Sequence, residues 1–219
     1  MSKYKIALWD LDGTLLDTGD GIIASVFYTI QKEELPTLSK EELQKFIGPP
    51  VQDSFQRMYQ VDKKEADRLA AVFRQQYKEV DLLKAVPYDN IYDILTLLRE
   101  RGVKIAVATY KREDYALRLL THYNFDRYCD IIHGSDLEGR LSKADIIRLC
   151  IKEAGVSTDE AVMIGDTCHD AKGAAELGID FIGVLYGFGF VTDEEKQQYP
   201  AIGWAETPLE VEKFIFKSL

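Results

Sequence analysis

Five short apolar runs along the chain predict buried β-strands. Their apolar residues are consecutive rather than alternating with polar ones, as is typical of strands that are covered on both faces. The predicted strands span residues 5–10, 103–109, 129–134, 161–166 and 181–187. Helical patterns follow at residues 112–121, 142–154 and 168–177, with a final one near residues 207–217. Strands that alternate with helices predict right-handed crossovers and a parallel sheet, and therefore a doubly wound α/β fold.

Residues 17–82 interrupt this alternation. The segment has no strand pattern, and helices are predicted at residues 19–32, 39–46, 50–59 and 63–80. In the last of these, apolar residues recur at steps of three and four, which is typical of an amphipathic helix; they are Ala66, Leu69, Ala70, Phe73 and Tyr77. We therefore expect a core formed by residues 1–16 and 83–219 and an inserted all-helical module at residues 17–82. A module inserted at this point would cover the end of the first strand like a lid.

The composition narrows the classes of protein. The 219 residues are 46% hydrophobic and 29% charged, which suffices for one large domain or a domain with an insert. A net charge of −10 disfavours a nucleic-acid partner. No apolar run is long enough to predict a membrane span, and the first one is too short for a signal peptide. The odd number of widely spaced cysteines (Cys129, Cys150 and Cys168) argues against a disulfide framework, so we expect a cytoplasmic protein.

Two aspartates end the first predicted strand, in the sequence Asp10-Leu11-Asp12-Gly13-Thr14. Alternate residues of a strand point to the same face, so the carboxylates of Asp10 and Asp12 should share one small space. They would repel each other unless a cation or a shared proton offsets the repulsion. An ordinary Asp-rich turn also explains this stretch on its own. The residues at the other strand ends are therefore needed to distinguish a functional pair of carboxylates from a turn.

Other polar residues follow later strands of the predicted sheet. Thr109 ends the second strand, Asp166 ends the fourth, and Asp170 comes four residues later. Each has an ordinary alternative: Thr109 as a turn residue, Asp166 as a helix N-cap, and Asp170 as a solvated helix residue. Ligands of open α/β sheets bind beyond the carboxyl ends of the strands, however. Acids and a hydroxyl collected there suit a divalent cation and a phosphate.

Lys143 breaks a local rule. Ser142 and Asp145 fit a capping box, which puts Lys143 in the first turn of the predicted helix. A lysine there opposes the helix dipole at a cost of about 0.3–1 kcal/mol. A local rule broken without a visible structural gain indicates a functional residue.

Together, these motifs resemble those of the haloacid dehalogenase superfamily of phosphohydrolases. Asp10 to Thr14, Thr109, Lys143 and the stretch from Gly165 to Asp170 occur in the family's order, and the resemblance covers nearly the whole chain. Residues 17–82 resemble the family's small helical cap. The stretches "FIGPPVQDSF" and "GVLYGFG" are similar to the phosphoglycolate phosphatase-like branch, which includes bacterial members that act on nucleotides or pyrophosphate.

The resemblance implies the catalytic roles. Asp10 would attack phosphorus and form an aspartyl-phosphate, and Asp12 would protonate the leaving oxygen and later accept a proton from water. Lys143 would stabilise the developing charge and bind the substrate phosphate. The expected substrate is a small phosphorylated metabolite, such as phosphoglycolate or a nucleoside monophosphate. The enzyme would be a monomer or a homodimer without membrane or nucleic-acid partners.

The resemblance also implies the binding residues. Mg²⁺ would be held by the carboxylates of Asp10 and Asp166 and by the backbone carbonyl of Asp12, with Asp170 orienting the shell. Thr109 and the backbone N–H of Tyr110 would hold phosphate oxygens, and cap contacts are expected near Gly48. The chain departs from the common family pattern in two places. Tyr110 stands where Asn or Ser is frequent, and Ala144 where Pro is frequent.

Several rival functions stay open. Dehalogenases and phosphonate-cleaving relatives lack the second acid of the first motif, so Asp12 argues against both. A sugar phosphomutase on the same fold retains it, and a pyrophosphatase on the same fold is a further alternative. A receiver domain also places acids, a threonine and a lysine around Mg²⁺, but its first acids are adjacent in sequence and it has no cap. A non-catalytic binding protein is the remaining rival, because a fold does not establish an activity.

Overall fold

The computed structural model describes residues 2–137, 140–190 and 192–216. Its strands, in chain order, are β1 (Ile6–Trp9), β2 (Leu16–Asp17), β3 (Val86–Pro87), β4 (Lys104–Arg112), β5 (Ile131–Ser135), β6 (Ala161–Gly165), β7 (Asp180–Val184) and β8 (Gly203–Ala205). Its helices are α1 (Gly19–Lys32), α2 (Lys40–Gln44), α3 (Val51–Tyr59), α4 (Lys63–Gln76), α5 (Ile91–Glu100), α6 (Glu113–His122), α7 (Lys143–Ala154), α8 (Cys168–Leu177), α9 (Asp193–Gln197) and α10 (Val211–Ile215).

Six strands form a parallel sheet in the order β5-β4-β1-β6-β7-β8, and β2 pairs with β3 in a separate two-stranded sheet. Helices α5 to α8 pack against strands of the large sheet. The predicted doubly wound parallel α/β fold is therefore confirmed. Strand β1 lies between β4 and β6, so the strands that carry Asp10, Thr109 and Asp166 at or near their carboxyl ends are neighbours.

The centre of the large sheet is apolar on both sides. All four residues of β1 are fully buried, as are Ile105 to Ala108 of β4. Side chains of α7 and α8 close the core on one face, where Ile146, Ile147 and Ala174 pack with Leu8 and Met163. Because both faces are covered, the strands read as continuous apolar runs, which is why they are recognisable in the sequence.

Some predicted elements differ from the observed ones. Helix α5 was not predicted, although its buried Ile91, Ile94, Leu95 and Leu98 have helical spacing; its N-cap Asn90 makes no side-chain cap hydrogen bond. Helix α9 and strands β2, β3 and β8 were also not predicted. They are two to five residues long, too short to show a period. The predicted helix at 207–217 is a 3-10 turn followed by α10, and residue 217 lies outside the described residues.

The chain divides into two compact units: residues 1–17 with 87–219, and residues 18–86. The sequence placed the two divisions after Leu16 and after Leu82. The helical unit extends further because α4 continues into a π-helical turn at Tyr77–Asp81 and the next residues return to α1. There the N–H of Gly21 donates to the carbonyl of Lys84 (3.1 Å), and a Cβ on Gly21 would lie 2.5 Å from the carbonyl oxygen of Asp81. No helix within the described residues is long and apolar enough to cross a membrane.

Asp81 is the buried acid that ties the helical unit together. It is 1% exposed and accepts hydrogen bonds from Ser25 Oγ (2.8 Å) and Gln76 Nε2 (3.0 Å), while Lys84 Nζ lies 2.7 Å from its second oxygen. Burial raises the pKa of Asp81, but the hydrogen bonds from Lys84, Gln76 and Ser25 together outweigh burial, so its pKa lies below the ordinary value. The ionised carboxylate therefore stabilises this unit.

We expect Asp81→Asn to lower the free energy of unfolding at pH 7 by about 1.5–3 kcal/mol. The amide NH₂ of asparagine would replace one carboxylate oxygen and face hydrogen-bond donors from which it cannot accept. The native carboxyl has the lowered pKa, so its contribution is fully present above the unfolded pKa of about 4 and is lost as pH falls through the folded pKa. Urea unfolding at pH 7 and near pH 3 checks both points. Asp67→Asn, on the exposed face of α4, is the matched control. Equal stability losses in the two variants at pH 7 would contradict the prediction.

Candidate active site

Asp10 and Asp12 lie where the chain leaves β1. The predicted strand ended at Asp10, whereas β1 ends at Trp9; the N–H of Asp10 still donates to the carbonyl of Ile164 in β6 (2.9 Å). A tight loop follows, in which Gly13 has a φ of +81° and donates its N–H to the carbonyl of Leu16 (2.8 Å). The loop leaves Asp10 only 6% exposed.

Lys143 joins two of the predicted acids. It is the first residue of α7, after the capping box of Ser142 and Asp145, and it is 3% exposed. Its Nζ lies 2.7 Å from Asp10 Oδ1 and 2.6 Å from Asp170 Oδ1. Burial lowers the pKa of Lys143, but Asp10 and Asp170 together raise it above its ordinary value, so the ammonium stays charged. These ion pairs offset the unfavourable position of a lysine in the first turn of a helix.

Asp170 is a buried partner of Lys143. It is 0% exposed, and its Oδ2 accepts hydrogen bonds from the N–H (3.0 Å) and the Oγ1 (2.7 Å) of Thr167. Thr167 and Asp170 form the capping box of α8. Thr167, rather than Asp166, is therefore the N-cap, and the alternative that Asp170 is a solvated helix residue is wrong.

Asp166 is completely buried and is held by a loop that the sequence did not assign to the site. Its Oδ2 accepts the N–H groups of Phe188 (2.8 Å) and Gly189 (3.3 Å), and its Oδ1 accepts Thr14 Oγ1 (3.3 Å). The predicted strand at 181–187 ends at Val184, and the residues that follow form this loop. A Cβ at Gly187 would lie 2.4 Å from the Asp166 Cβ, so this loop can approach the carboxylate only with glycine there. The three glycines of "GVLYGFG" are the sequence signal that could have revealed this loop.

Three carboxylates of this cluster could hold a metal ion. Asp10, Asp166 and Asp170 each present one oxygen within 4.8 Å of the others, and all three are buried. Burial raises the pKa of Asp166 well above its ordinary value, and Asp170 and Asp10 add to this effect. Burial likewise raises the pKa of Asp10, against the attraction of Lys143. Crowded carboxylates that are costly to ionise gain from a bound divalent cation, and hard oxygen donors suit Mg²⁺.

The charge of the cluster also fits a divalent cation. Asp12 lies outside the three-carboxylate group, and its Oδ1 pairs with Lys111 Nζ at 2.7 Å. With Asp12 counted, four carboxylates face two ammonium groups, an excess of two formal negative charges among these described side chains. A cation of charge +2 matches this excess, so the residues present fit the predicted group.

Strand β4 supplies two further predicted residues, Thr109 and Tyr110. The sequence ended this strand at Thr109, whereas β4 continues to Arg112 after an irregularity that begins beyond Ala108. Thr109 is 1% exposed, and its Oγ1 accepts the N–H of Lys111 (3.1 Å). The Tyr110 hydroxyl accepts the backbone N–H of Lys143 (2.9 Å), a contact that the sequence did not reveal.

Lys111 is a charged residue of the site that the sequence did not reveal. Its side chain is 7% exposed, and its pairing with Asp12 joins residues 99 positions apart in the chain. Its place two residues after Thr109 is the available signal. Gly48, in contrast, belongs to the helical unit; it has a φ of +101°, and a Cβ there would meet nothing within 4 Å. Its predicted role in substrate binding stays a prediction.

Comparison with known proteins identifies the family. The profile described as haloacid dehalogenase-like hydrolase matches residues 7–184. A 5'-nucleotidase of Pseudomonas aeruginosa is 35% identical over 188 residues, which cover 85% of each chain. A pyrophosphatase of Bacillus pumilus, PpaX, is 30% identical over 186 residues, covering 84% of this chain and 85% of that one. The crystal structure of a predicted phosphatase from Clostridium acetobutylicum has a TM-score of 0.87 and 34% identity, and the match covers 96% of this chain and 97% of that chain.

The profile match begins within β1 and ends with β7, so it includes the stretches that carry Asp10, Thr109, Lys143, Asp166 and Asp170. The prediction of a hydrolytic enzyme with phosphatase relatives is confirmed. The chain belongs to the haloacid dehalogenase-like hydrolase family.

Proposed function

We propose that this protein is a Mg²⁺-dependent phosphatase that hydrolyses a small phosphorylated metabolite, phosphoglycolate-like or a nucleoside monophosphate, through an aspartyl-phosphate on Asp10. The observation that carries the proposal is the buried ion-pair cluster in which Lys143 joins Asp10 and Asp170 beside Asp166. Burying four charged side chains together costs free energy. Such an arrangement suits a phosphoryl-transfer site. The net charge of −10 disfavours a nucleic-acid substrate. We expect the protein to act in the cytoplasm, since the odd number of widely spaced cysteines argues against a disulfide framework.

In the first step, one carboxylate oxygen of Asp10 attacks phosphorus. The new oxygen–phosphorus bond forms while the bond from phosphorus to the leaving oxygen breaks. The leaving oxygen takes that electron pair and a proton from Asp12, which enters this step in its protonated carboxyl form. Lys143 and the hydroxyl of Thr109 hold the phosphoryl oxygens, with the Tyr110 backbone N–H as a further donor. Lys143 also orients the Asp10 carboxylate through the bond of 2.7 Å.

In the second step, water attacks the aspartyl-phosphate and gives its proton to Asp12. The bond between phosphorus and the Asp10 oxygen breaks, which releases inorganic phosphate and restores both aspartates. The carboxylates of Asp10 and Asp166 and the backbone carbonyl of Asp12 would hold Mg²⁺, with Asp170 supporting them. When bound, Mg²⁺ supplies positive charge that offsets the crowded carboxylates and the phosphoryl oxygens.

Two other reactions use the same groups. A sugar phosphomutase would return the phosphoryl group to the substrate, and a pyrophosphatase would release two phosphates. A panel of phosphorylated metabolites, assayed with Mg²⁺ for free phosphate and for isomeric products, separates these reactions. Phosphate released in a one-to-one ratio with a dephosphorylated product supports the proposal. Isomer formation with little free phosphate would replace it with a mutase, and binding without turnover of any compound would indicate a non-catalytic protein.

Metal removal should abolish the reaction. We expect EDTA to lower the rate by at least about 100-fold and added Mg²⁺ to restore it, because the uncompensated acids repel a phosphate.

Asp166→Asn should raise the Mg²⁺ concentration for half-maximal activity by at least about 10-fold. The same shift is expected in the Mg²⁺ dependence of the melting temperature, a readout that does not depend on turnover. Asp159→Asn, at an exposed position, is the control. Unaltered Mg²⁺ dependence in Asp166→Asn would refute this assignment.

A further inference from the structure

Lys111 is a nearly buried cation of the active site whose contacts differ from those of Lys143. Lys143 pairs with the nucleophile Asp10 and with Asp170, whereas Lys111 pairs with the acid Asp12 at 2.7 Å. Only 7% of the Lys111 side chain is exposed, against 19% for Asp12. The two ammonium groups thus contact different carboxylates, and the roles of those carboxylates place each ammonium relative to the two sides of the reacting phosphoryl group.

The direction of the reaction defines these sides. Attack by Asp10 and departure of the leaving oxygen are in line, so the leaving oxygen points away from Asp10. Asp12 has to reach that oxygen to protonate it. The Lys111 ammonium, in contact with the Asp12 carboxylate, therefore lies next to the group that departs rather than next to the group that is transferred.

A leaving group with its own negative charge offers Lys111 a further anionic partner at this place. Charge-assisted hydrogen bonds between an ammonium and a carboxylate or phosphate are short and strong, and a weakly solvated site strengthens them further. An anion on the leaving group would share or take over Lys111 and leave Asp12 to face the departing oxygen. A neutral alcohol cannot do so, and the pair of Lys111 with Asp12 would persist.

We propose that Lys111 is a specificity-determining residue that binds an anionic group on the leaving side of the substrate. The preferred substrates are then compounds in which a carboxylate or a second phosphate adjoins the phosphoryl group that is transferred. Monoesters of neutral alcohols are poor substrates by comparison. This inference rests on the proposed phosphatase function and narrows its substrate class.

A matched pair of substrates isolates the charge. Phosphoglycolate and 2-hydroxyethyl phosphate differ only in a carboxylate in place of a hydroxymethyl group, and pyrophosphate tests the phosphoanhydride. We expect wild-type kcat/KM to be higher for phosphoglycolate or pyrophosphate than for 2-hydroxyethyl phosphate. Lys111→Met should lower the ratio of charged to neutral kcat/KM by about 30-fold, the loss of one hydrogen bond between charged groups. The charged substrate with the higher kcat/KM, phosphoglycolate or pyrophosphate, identifies whether the site prefers a carboxylate or a phosphate.

Two further variants separate charge from structure. Lys111→Arg keeps the positive charge and should retain the ratio within about 5-fold. Lys104→Met removes an exposed lysine from the opposite end of the same strand, β4, and should keep the ratio within about 2-fold. If Lys111→Met does not fold, the wild-type ratio and the arginine variant still decide the question.

Calorimetric binding of phosphonoacetate and 2-hydroxyethylphosphonate, in the presence of Mg²⁺, gives a readout without turnover. Wild type should prefer phosphonoacetate, and Lys111→Met should lose about 30-fold of that preference. Equal losses for charged and neutral compounds, or a wild type that prefers the neutral ones, would overturn the role of Lys111 while leaving a phosphatase. Absence of phosphate release from every compound by wild type would instead refute the proposed function, and the binding ratio would still test Lys111.

Discussion

Asp10→Asn is expected to lower kcat by about 10⁴-fold or more, because an amide oxygen is too weak a nucleophile to form the phosphoryl-enzyme. The substitution preserves the shape of the side chain, so the loss would report chemistry rather than packing. Asp10 is buried at the end of β1, and burial raises its pKa. A neutral asparagine there removes a buried charge that is costly to keep ionised. We therefore expect the free energy of unfolding to change by less than about 2 kcal/mol.

The measurement combines phosphate release with circular dichroism and thermal unfolding of the same preparation. Asp89→Asn, an exposed aspartate of the core unit, is the control and should retain full activity. Trapping of labelled phosphate on the wild type by acid quench, and its absence in Asp10→Asn, would tie the loss to the covalent step. A folded Asp10→Asn protein that keeps more than a few per cent of the wild-type rate would exclude Asp10 as the nucleophile.

The second large effect is expected for Lys143→Met. Its ammonium neutralises Asp10 and Asp170 at 2.7 and 2.6 Å, and both carboxylates are buried. Loss of the cation removes stabilisation of phosphoryl charge, which we expect to lower kcat by about 10³-fold. It also leaves two buried carboxylates without this partner, so the metal-free protein should lose about 3–5 kcal/mol of stability.

Mg²⁺ distinguishes the two effects. A bound divalent cation offsets the carboxylates, so we expect added Mg²⁺ to restore much of the lost stability of Lys143→Met but not its kcat. Urea unfolding with Mg²⁺ and with EDTA, beside single-turnover assays, measures both. Lys152→Met, at an exposed position in the last turn of the same helix, is the control and should cost less than about 1 kcal/mol. Wild-type turnover in Lys143→Met would contradict its assigned role.

The proposals for Asp10, Lys143 and Lys111 make one consistent account of the site. Lys143 contacts the proposed nucleophile and Lys111 contacts the proposed acid, so the corresponding variants should differ in kind. Lys143→Met is expected to impair every substrate alike, because each substrate presents the same phosphoryl group. Lys111→Met is expected to alter the ranking of substrates. This contrast follows from which carboxylate each ammonium contacts.

The sequence by itself determined the class of fold and the candidate acids. Doubly covered strands leave continuous apolar runs, and in a parallel sheet their carboxyl ends meet at one edge, so the pattern alone places Asp10, Thr109 and Asp166 at the same edge. Local signals also sufficed for Lys143, because the capping box of Ser142 and Asp145 determines its position in the first helical turn. Such features depend on period and on neighbours within a few residues.

Only the tertiary structure decided which charges pair and what encloses them. Lys111 and Asp12 are 99 residues apart in the sequence, and Lys143 and Asp10 are 133 residues apart. The N–H of Phe188 donates to Asp166, which lies 22 residues earlier. Periodicity carries no information about such contacts, since they depend on how strands β1, β4 and β6 are ordered and on the path of the loop after β7. Likewise, burial of Asp170 follows from the packing of α7 against α8, which turns a residue with an ordinary helical position into a charged partner of Lys143.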